Sequence, residues 1–240
     1  MDTLRKRIAV VGSINTDMVV KSSHIPRPGE TVLGGSFMMN SGGKGANQAV
    51  AAARLGGDVC FIARVGNDAL GERAVKLFRE EGIDTSAISI DETHASGVAL
   101  IMVDEKGENC ISVASGANAA LSPIEIEASA PIIENSALLL AQLETPVATV
   151  GRAARIARKA GATVVLNPAP ACPLPESLLR DVDIIIPNET EASILSGIEV
   201  TDMESARKAA EKIVASGVAV VIITMGAAGA LIYKDSHPIH

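Results

Sequence analysis

Six short aliphatic, β-branched runs alternate with longer segments of helical period, and this alternation constrains the fold more than any other feature of the chain. Residues 8–11, 59–65, 137–142, 163–166, 183–186 and 218–224 have the length and branching of strands. The segments between them carry helix signals. Ser122-Pro123 followed by Glu125 reads as a capping box with proline at the first helical position, and residues 146–160 read as a helix stopped at Gly161. Strands and helices in this order bury their apolar faces as a largely parallel sheet with helices on both sides. Composition agrees, because 48% of residues are hydrophobic but only 2% aromatic, so the core must be built from Ala, Val, Ile and Leu. One α/β domain over residues 1–240 is the expectation.

A second pattern is laid into the first half. Residues 18–21, 31–38, 97–103 and 110–114 are strand-like without intervening helices, and 104–109 has the composition of a hairpin loop. They are predicted to pair as a small antiparallel β lid, inserted within about 16–39 and 97–114 and standing off the main sheet.

Several function classes are excluded early. A net charge of −7, with no basic run beyond Arg5-Lys6-Arg7, leaves nothing to neutralise a nucleic-acid backbone. A small phosphate-bearing substrate remains compatible, since helix N-termini, metal ions and a single lysine bind anions locally. Cys60, Cys110 and Cys172 are widely spaced and odd in number, so neither a disulfide framework nor a zinc site is expected, and a reducing cytoplasm fits. The apolar run at 8–11 is too short for a signal peptide. Residues 216–233 carry no charge, but Gly226 and Gly229 interrupt them, so strand, turn and strand are expected there rather than a membrane span. His237 and His240 form an HxxH pair read as a frayed tail, and His24 and His94 stand in no motif.

In open α/β sheets ligands bind beyond the carboxyl ends of the strands. The residues following the predicted strands are polar in a consistent way: Ser13, Asn15 and Asp17 after the first, Gln142 and Glu144 after the third, Asn167 after the fourth, Asn188, Glu189 and Glu191 after the fifth, Thr224 after the sixth. Polar residues are ordinary in turns, so the convergence on one edge is what points to a site.

The segment Gly42-Gly43-Lys44-Gly45-Ala46-Asn47 precedes an alanine-rich helix. Its glycines permit close backbone approach, and the first N–H groups of the helix are expected to point outward to an oxygen-rich ligand; a plain tight turn explains it as well. It is not a Walker A loop, because Gly45 follows Lys44, and no GxGxxG marks a dinucleotide fold.

Residues 42–56 resemble the first signature of the ribokinase-like (PfkB) sugar kinase family, in particular its ribokinase branch. Gly12-Ser13-Ile14-Asn15 with Asp17, Pro28-Gly29-Glu30-Thr31, the run from Ser115-Gly116-Ala117-Asn118 to Pro123, Leu166-Asn167-Pro168-Ala169-Pro170 and Pro187-Asn188-Glu189-Thr190-Glu191 are similar to it in order and spacing. The resemblance implies a three-layer α/β/α fold with a β lid. It implies an ATP-dependent kinase acting on the primary hydroxyl of D-ribose, with Mg²⁺ on the nucleotide and K⁺ as activator. Asn15, Asp17, Gly42, Gly43, Lys44, Asn47 and Glu144 match sugar-binding positions. Asn188, Glu191, Thr224, Gly226 and Gly229 match nucleotide-binding ones, with Glu191 acting on Mg²⁺ through water. The lid is implied to close over the sugar and to form a homodimer contact, with Ala99, Ile101 and Val113 packing on the sugar or the partner lid or simply buried.

One departure matters. The family's second signature, Gly-Ala-Gly-Asp, does not occur in the 240 residues, so the aspartate implied as general base, and with it the K⁺ site, is expected beyond His240, and no catalytic residue is named. The rival readings are a sugar-binding or dimerising module without turnover, and a related kinase acting on deoxyribose or a nucleoside.

Overall fold

A computed structural model describes residues 7–234 and the backbone of residues 237–239; Arg5, Lys6 and His240 lie outside the described residues, as do the side chains of the terminal strand. The chain runs β1 (Arg7–Val11), β2 (Asn15–Lys21), β3 (Ser36–Gly42), α1 (Lys44–Arg54), β4 (Asp58–Gly66), α2 (Ala69–Glu80), β5 (Ile88–Asp91), β6 (Gly97–Val103), β7 (Asn109–Ala114), α3 (Pro123–Ala128), α4 (Ala130–Glu134) and β8 (Leu138–Ala141). It continues through α5 (Val147–Lys159), β9 (Thr163–Leu166), α6 (Glu176–Leu179), β10 (Ile184–Ile185), α7 (Glu189–Ser196), α8 (Met203–Val214), β11 (Val220–Thr224), β12 (Ala230–Lys234) and β13 (His237–Ile239).

Nine strands form one sheet in the order β13-β12-β11-β10-β9-β8-β1-β4-β5. From β11 to β5 every pairing is parallel; β12 and β13 add antiparallel strands at one edge. The uncharged run at 216–233 is accordingly β11, a tight turn and β12. No helix among the described residues is long and apolar enough to cross a membrane. The sequence pattern missed β5, a four-residue edge strand with too few residues to show a period.

The two faces of the sheet are covered differently. On one, Leu139, Val164, Leu166, Ile185, Val221, Ile223 and Leu231 are buried beneath α3, α5 and α8. The cap on α3 is as read: the Ser122 hydroxyl accepts from the Glu125 N–H, and the Glu125 carboxylate accepts from the Ser122 N–H. On the other face α1 and α2 cover Val10, Phe61 and Ala63, with Phe61 and Phe78 edge to face at 5.3 Å. Beyond β8 on that second face Val165, Ile184, Val220, Ile222 and Ile232 are only half buried.

The lid is a separate four-stranded sheet, β3-β2-β6-β7. Its outer pairs, β2 with β3 and β6 with β7, are antiparallel, and its central pair, β2 with β6, is parallel. Parallel pairing follows from connectivity, since β2 and β6 each leave the same edge of the main sheet. The third strand runs later than the sequence pattern indicates, ending at Gly42 rather than Met38, so the lid leads without a break into α1.

Two carboxylates fix the loop that leads from β5 into the lid strand β6. Asp68 caps α2 through the Leu70 and Gly71 N–H groups and also accepts from the Ser96 N–H and hydroxyl, one residue before β6. Asp91 accepts from Arg64, Thr93 and His94. The Arg64 guanidinium first, and the Thr93 and His94 donors with it, hold the Asp91 carboxyl well below the usual carboxylate range.

Candidate functional site

Helical connections leave β1 toward β4 and leave β8 toward β9, in opposite directions, so a crevice opens between the carboxyl ends of β1 and β8. The parallel strands β1, β8, β9, β10 and β11 bring Asn15, Glu144, Asn167, Asn188 and Thr224 to one edge.

Glu144 closes the crevice. Its Oε2 accepts from the Ser13 hydroxyl at 2.5 Å and from the Lys44 N–H at 2.9 Å, and its Oε1 accepts from the Lys44 ammonium at 3.0 Å. Burial alone would raise this carboxyl; the Lys44 N–H, the Ser13 hydroxyl and the Lys44 charge outweigh it and hold the group below its ordinary value.

This corrects the expectation for the glycine-rich segment. The N–H groups of the first turn of α1 do not point outward. Lys44 donates to Glu144, Gly45 to the Ser13 hydroxyl, Ala46 to the Ser13 carbonyl and Asn47 to the Gly43 carbonyl. The oxygen-rich partner of the helix terminus is Glu144 itself. The glycines serve the packing of this junction: a Cβ on Gly45 would lie 2.5 Å from Ser13 N and 2.7 Å from Gly12 Cα, and Gly43, at φ 95°, has no room for one beside Ser13 and Asn15.

Asp17 differs from Glu144 in one respect. It is half buried on the lid face that also carries Asn15, Asn40, Ala99 and Ile101, against Gly42, where a Cβ would overlap its carboxylate. No hydrogen bond of the described residues reaches its carboxylate. Burial, followed by repulsion from Glu144, raises its pKa, with the Lys44 charge opposing. A partly desolvated, unpartnered carboxylate is an acceptor prepared for hydroxyl donors from outside the protein.

The structure therefore brings together Asn15, Asp17, Gly42, Gly43, Lys44 and Glu144. Asn47 is exposed one turn into α1, in a groove with Ser41, Val50 and Phe78, and the hydrogen bonds around Glu144 do not reach it. Of the apolar lid residues, Ala99 is buried, Ile101 half buried and Val113 exposed.

The second group lies further along the edge. Asn188 and Glu191 form a capping box on α7, in which Asn188 Oδ1 accepts from the Glu191 N–H and Glu191 Oε2 from the Asn188 N–H, both at 2.8 Å. That leaves the Asn188 amide NH₂ and the second Glu191 oxygen uncommitted. Thr224 is exposed at the end of β11, and the turn from Gly226 to Gly229 beyond it has open space where both glycines would carry side chains. Between the two groups, Asn167 Oδ1 is buried without a partner, as is Gln142 Oε1. No cluster of three potential metal-ligating side chains occurs among the described residues.

Sequence reasoning did not single out Asn118, although the residue lies in a quoted motif. It is 1% exposed and bonded to Ile14 and Asn15 more than a hundred residues away. A lone asparagine in a small-residue loop carries no sign of such a partner.

Residues 5–240 match the pfkB family carbohydrate kinase profile. The chain is 48% identical over 231 residues to a ribokinase of Haemophilus influenzae, covering 96% of this chain and 76% of that one. It is 38% identical to a deoxyribokinase of Salmonella typhi, over 97% of this chain and 76% of the relative. Among solved structures, an Arabidopsis thaliana ribokinase complexed with ribose and ATP superposes with a TM-score of 0.88 at 30% identity, over 99% of this chain and 78% of that one. Fold, site edge and family profile agree along the whole described chain, which belongs to the pfkB family of carbohydrate kinases.

Proposed function

We propose that this chain is an ATP-dependent carbohydrate kinase acting on D-ribose to give D-ribose 5-phosphate. The observation that carries the reading is the Asp17 carboxylate, partly desolvated, unpartnered and aimed with Asn15 at the crevice. Neighbouring hydroxyls of a furanose supply the two donors such a carboxylate accepts. The higher identity to the Haemophilus ribokinase than to the Salmonella deoxyribokinase supports ribose over deoxyribose.

Asn15, Asp17, Gly42 and Gly43 hold the sugar, with Asn47 on the α1 side of the same wall. Glu144 fixes Lys44 and the start of α1 and retains acceptor capacity for one sugar hydroxyl. The nucleotide fits the second group. The open Gly226 to Gly229 turn admits phosphate, the Asn188 amide and Thr224 hydroxyl donate to it, and the free Glu191 oxygen suits water in the shell of Mg²⁺, which keeps several waters when bound. Bound Mg·ATP supplies the phosphoryl group with its charge partly neutralised. Asp17 and Glu144 are engaged in holding, so no general base is assigned among the described residues. The lid excludes water from the crevice, which protects the transfer from hydrolysis.

Calorimetry with D-ribose, 2-deoxyribose and ATP, run beside a coupled assay of ADP release, tests the reading. Ribose-dependent ADP release faster than that with deoxyribose is expected. Ribose binding without turnover would instead leave a sugar-binding or dimerising module. The lid also presents Ile111 and Val113 about half exposed on the Asp17 face, and these support a homodimer through the lid. Val113→Glu is expected to shift sedimentation from dimer to monomer, and an unchanged sedimentation profile would remove the lid from the interface.

A further inference from the structure

We propose that Asn118 is a positioning residue that fixes the polarity of the Asn15 side-chain amide, so that Asn15 meets the sugar as a hydrogen-bond donor. The inference rests on the assignment of Asn15 to the sugar site.

It begins from backbone groups, whose polarity is not in question. The Ile14 N–H is a donor and bonds one end of the Asn118 amide at 2.8 Å; that end must be Oδ1. The other end lies 2.9 Å from the Ile14 carbonyl, which can only accept, so it must be Nδ2. The same Nδ2 lies 2.8 Å from the Asn15 side chain. A donor must meet an acceptor there, and the Asn15 atom facing Asn118 is therefore Oδ1. The amide orientation, usually assigned by optimising networks, is here dictated by the main chain.

The consequence is chemical. With Oδ1 committed to Asn118, the remaining end of Asn15 is its NH₂, a pure donor. Asp17 on the same lid face is a pure acceptor while ionised. The crevice thus offers the sugar one donor and one acceptor in fixed places, a pattern that a freely rotating Asn15 would not define. Asn118 is 1% exposed and Asn15 5%, so solvent does not compete for these bonds. Gly97, the first residue of β6, packs against both amides, and a Cβ there would overlap Asn15 Oδ1 and Asn118 Nδ2. The lock therefore includes the root of the central lid strand.

Asn118→Asp keeps the shape and the bond from the Ile14 N–H but replaces the donor facing Asn15 with an acceptor, which drives the Asn15 amide to turn over. Its ribose Kd is expected to rise about 10- to 100-fold, the range for a bonded group left facing a like one, with ATP affinity unchanged. In an Asn15→Ala background the same substitution is expected to change ribose affinity by less than about twofold. An equal loss in both backgrounds, or none in either, overturns the proposal. Should Asn118→Asp fail to fold, the unsubstituted protein still decides. A scalar coupling through the hydrogen bond, from the Asn118 side-chain nitrogen to the Asn15 side-chain carbonyl carbon, is expected, and its absence in an otherwise assigned spectrum refutes the lock. That coupling needs no sugar. Failure of the unsubstituted chain to bind ribose would sink the functional reading, while the coupling would judge Asn118 separately.

Discussion

Glu144→Gln isolates the junction on which the site is built. The substitution keeps the shape, and the retained carbonyl oxygen still accepts from the Ser13 hydroxyl and the Lys44 N–H. Those two bonds lose their charge assistance, a difference of about 1 kcal/mol each. The Lys44 ammonium loses its partner as well, but that side chain is 42% exposed, so solvent reduces this contribution to about 0.5 kcal/mol or less. Relief of the repulsion between Glu144 and Asp17 returns a few tenths of a kcal/mol. The variant should be about 2 kcal/mol less stable than the parent at pH 7 in urea unfolding. The loss should depend on pH with a definite sign. The folded-state pKa of Glu144 is lowered, so the carboxylate stabilises the fold above its unfolded value of 4.5 and ceases to do so as pH falls through the lower folded value. The two unfolding curves should therefore converge as pH falls through that lowered folded value. A difference under about 0.5 kcal/mol at pH 7, or one that persists undiminished in acid, would refute the account of this junction.

Asp17 has the opposite sign. Its pKa is raised, so its charge opposes folding above the folded value, and stability from this group grows as pH falls through it. Asp17→Asn should unfold at a higher urea concentration than the parent at pH 7 while losing detectable ribose binding by calorimetry; retained affinity would remove Asp17 from the sugar site. Ribose affinity of the parent should weaken as pH drops through that raised value, and a flat profile across the whole acid range in which the protein stays folded would contradict it. Two glycines of contrasting surroundings test the packing logic. Gly45→Ala, whose Cβ meets backbone at 2.5 to 2.7 Å, should cost more than about 2 kcal/mol, whereas Gly151→Ala, mid-helix in α5 with open space around it, should gain about 0.5 to 1 kcal/mol. Thermal melts of the pair would show whether the distinction holds.

The strand and helix order was legible because its signals are local. β-branched runs, the Ser122, Pro123 and Glu125 cap, and the Gly161 stop each act within a few residues, and parallel strands joined by helices leave few ways to arrange them. The direction of the central lid pair was not legible, since pairing between β2 and β6 spans some eighty residues and depends on which edge each strand leaves. The sequence also delivered the site residues to one edge of the sheet, because in such a sheet every residue that follows a strand emerges at its carboxyl end. Their division of labour was decided only by tertiary structure. Asp17 and Glu144 are both carboxylates, and no local pattern distinguishes them. One is engaged by Ser13 and Lys44, brought from 131 and 100 residues away, and the other is left without a partner. Burial and neighbours set the pKa, hydrogen-bonding capacity and role of an ionisable side chain, and for these residues the neighbours exist only once the chain has folded.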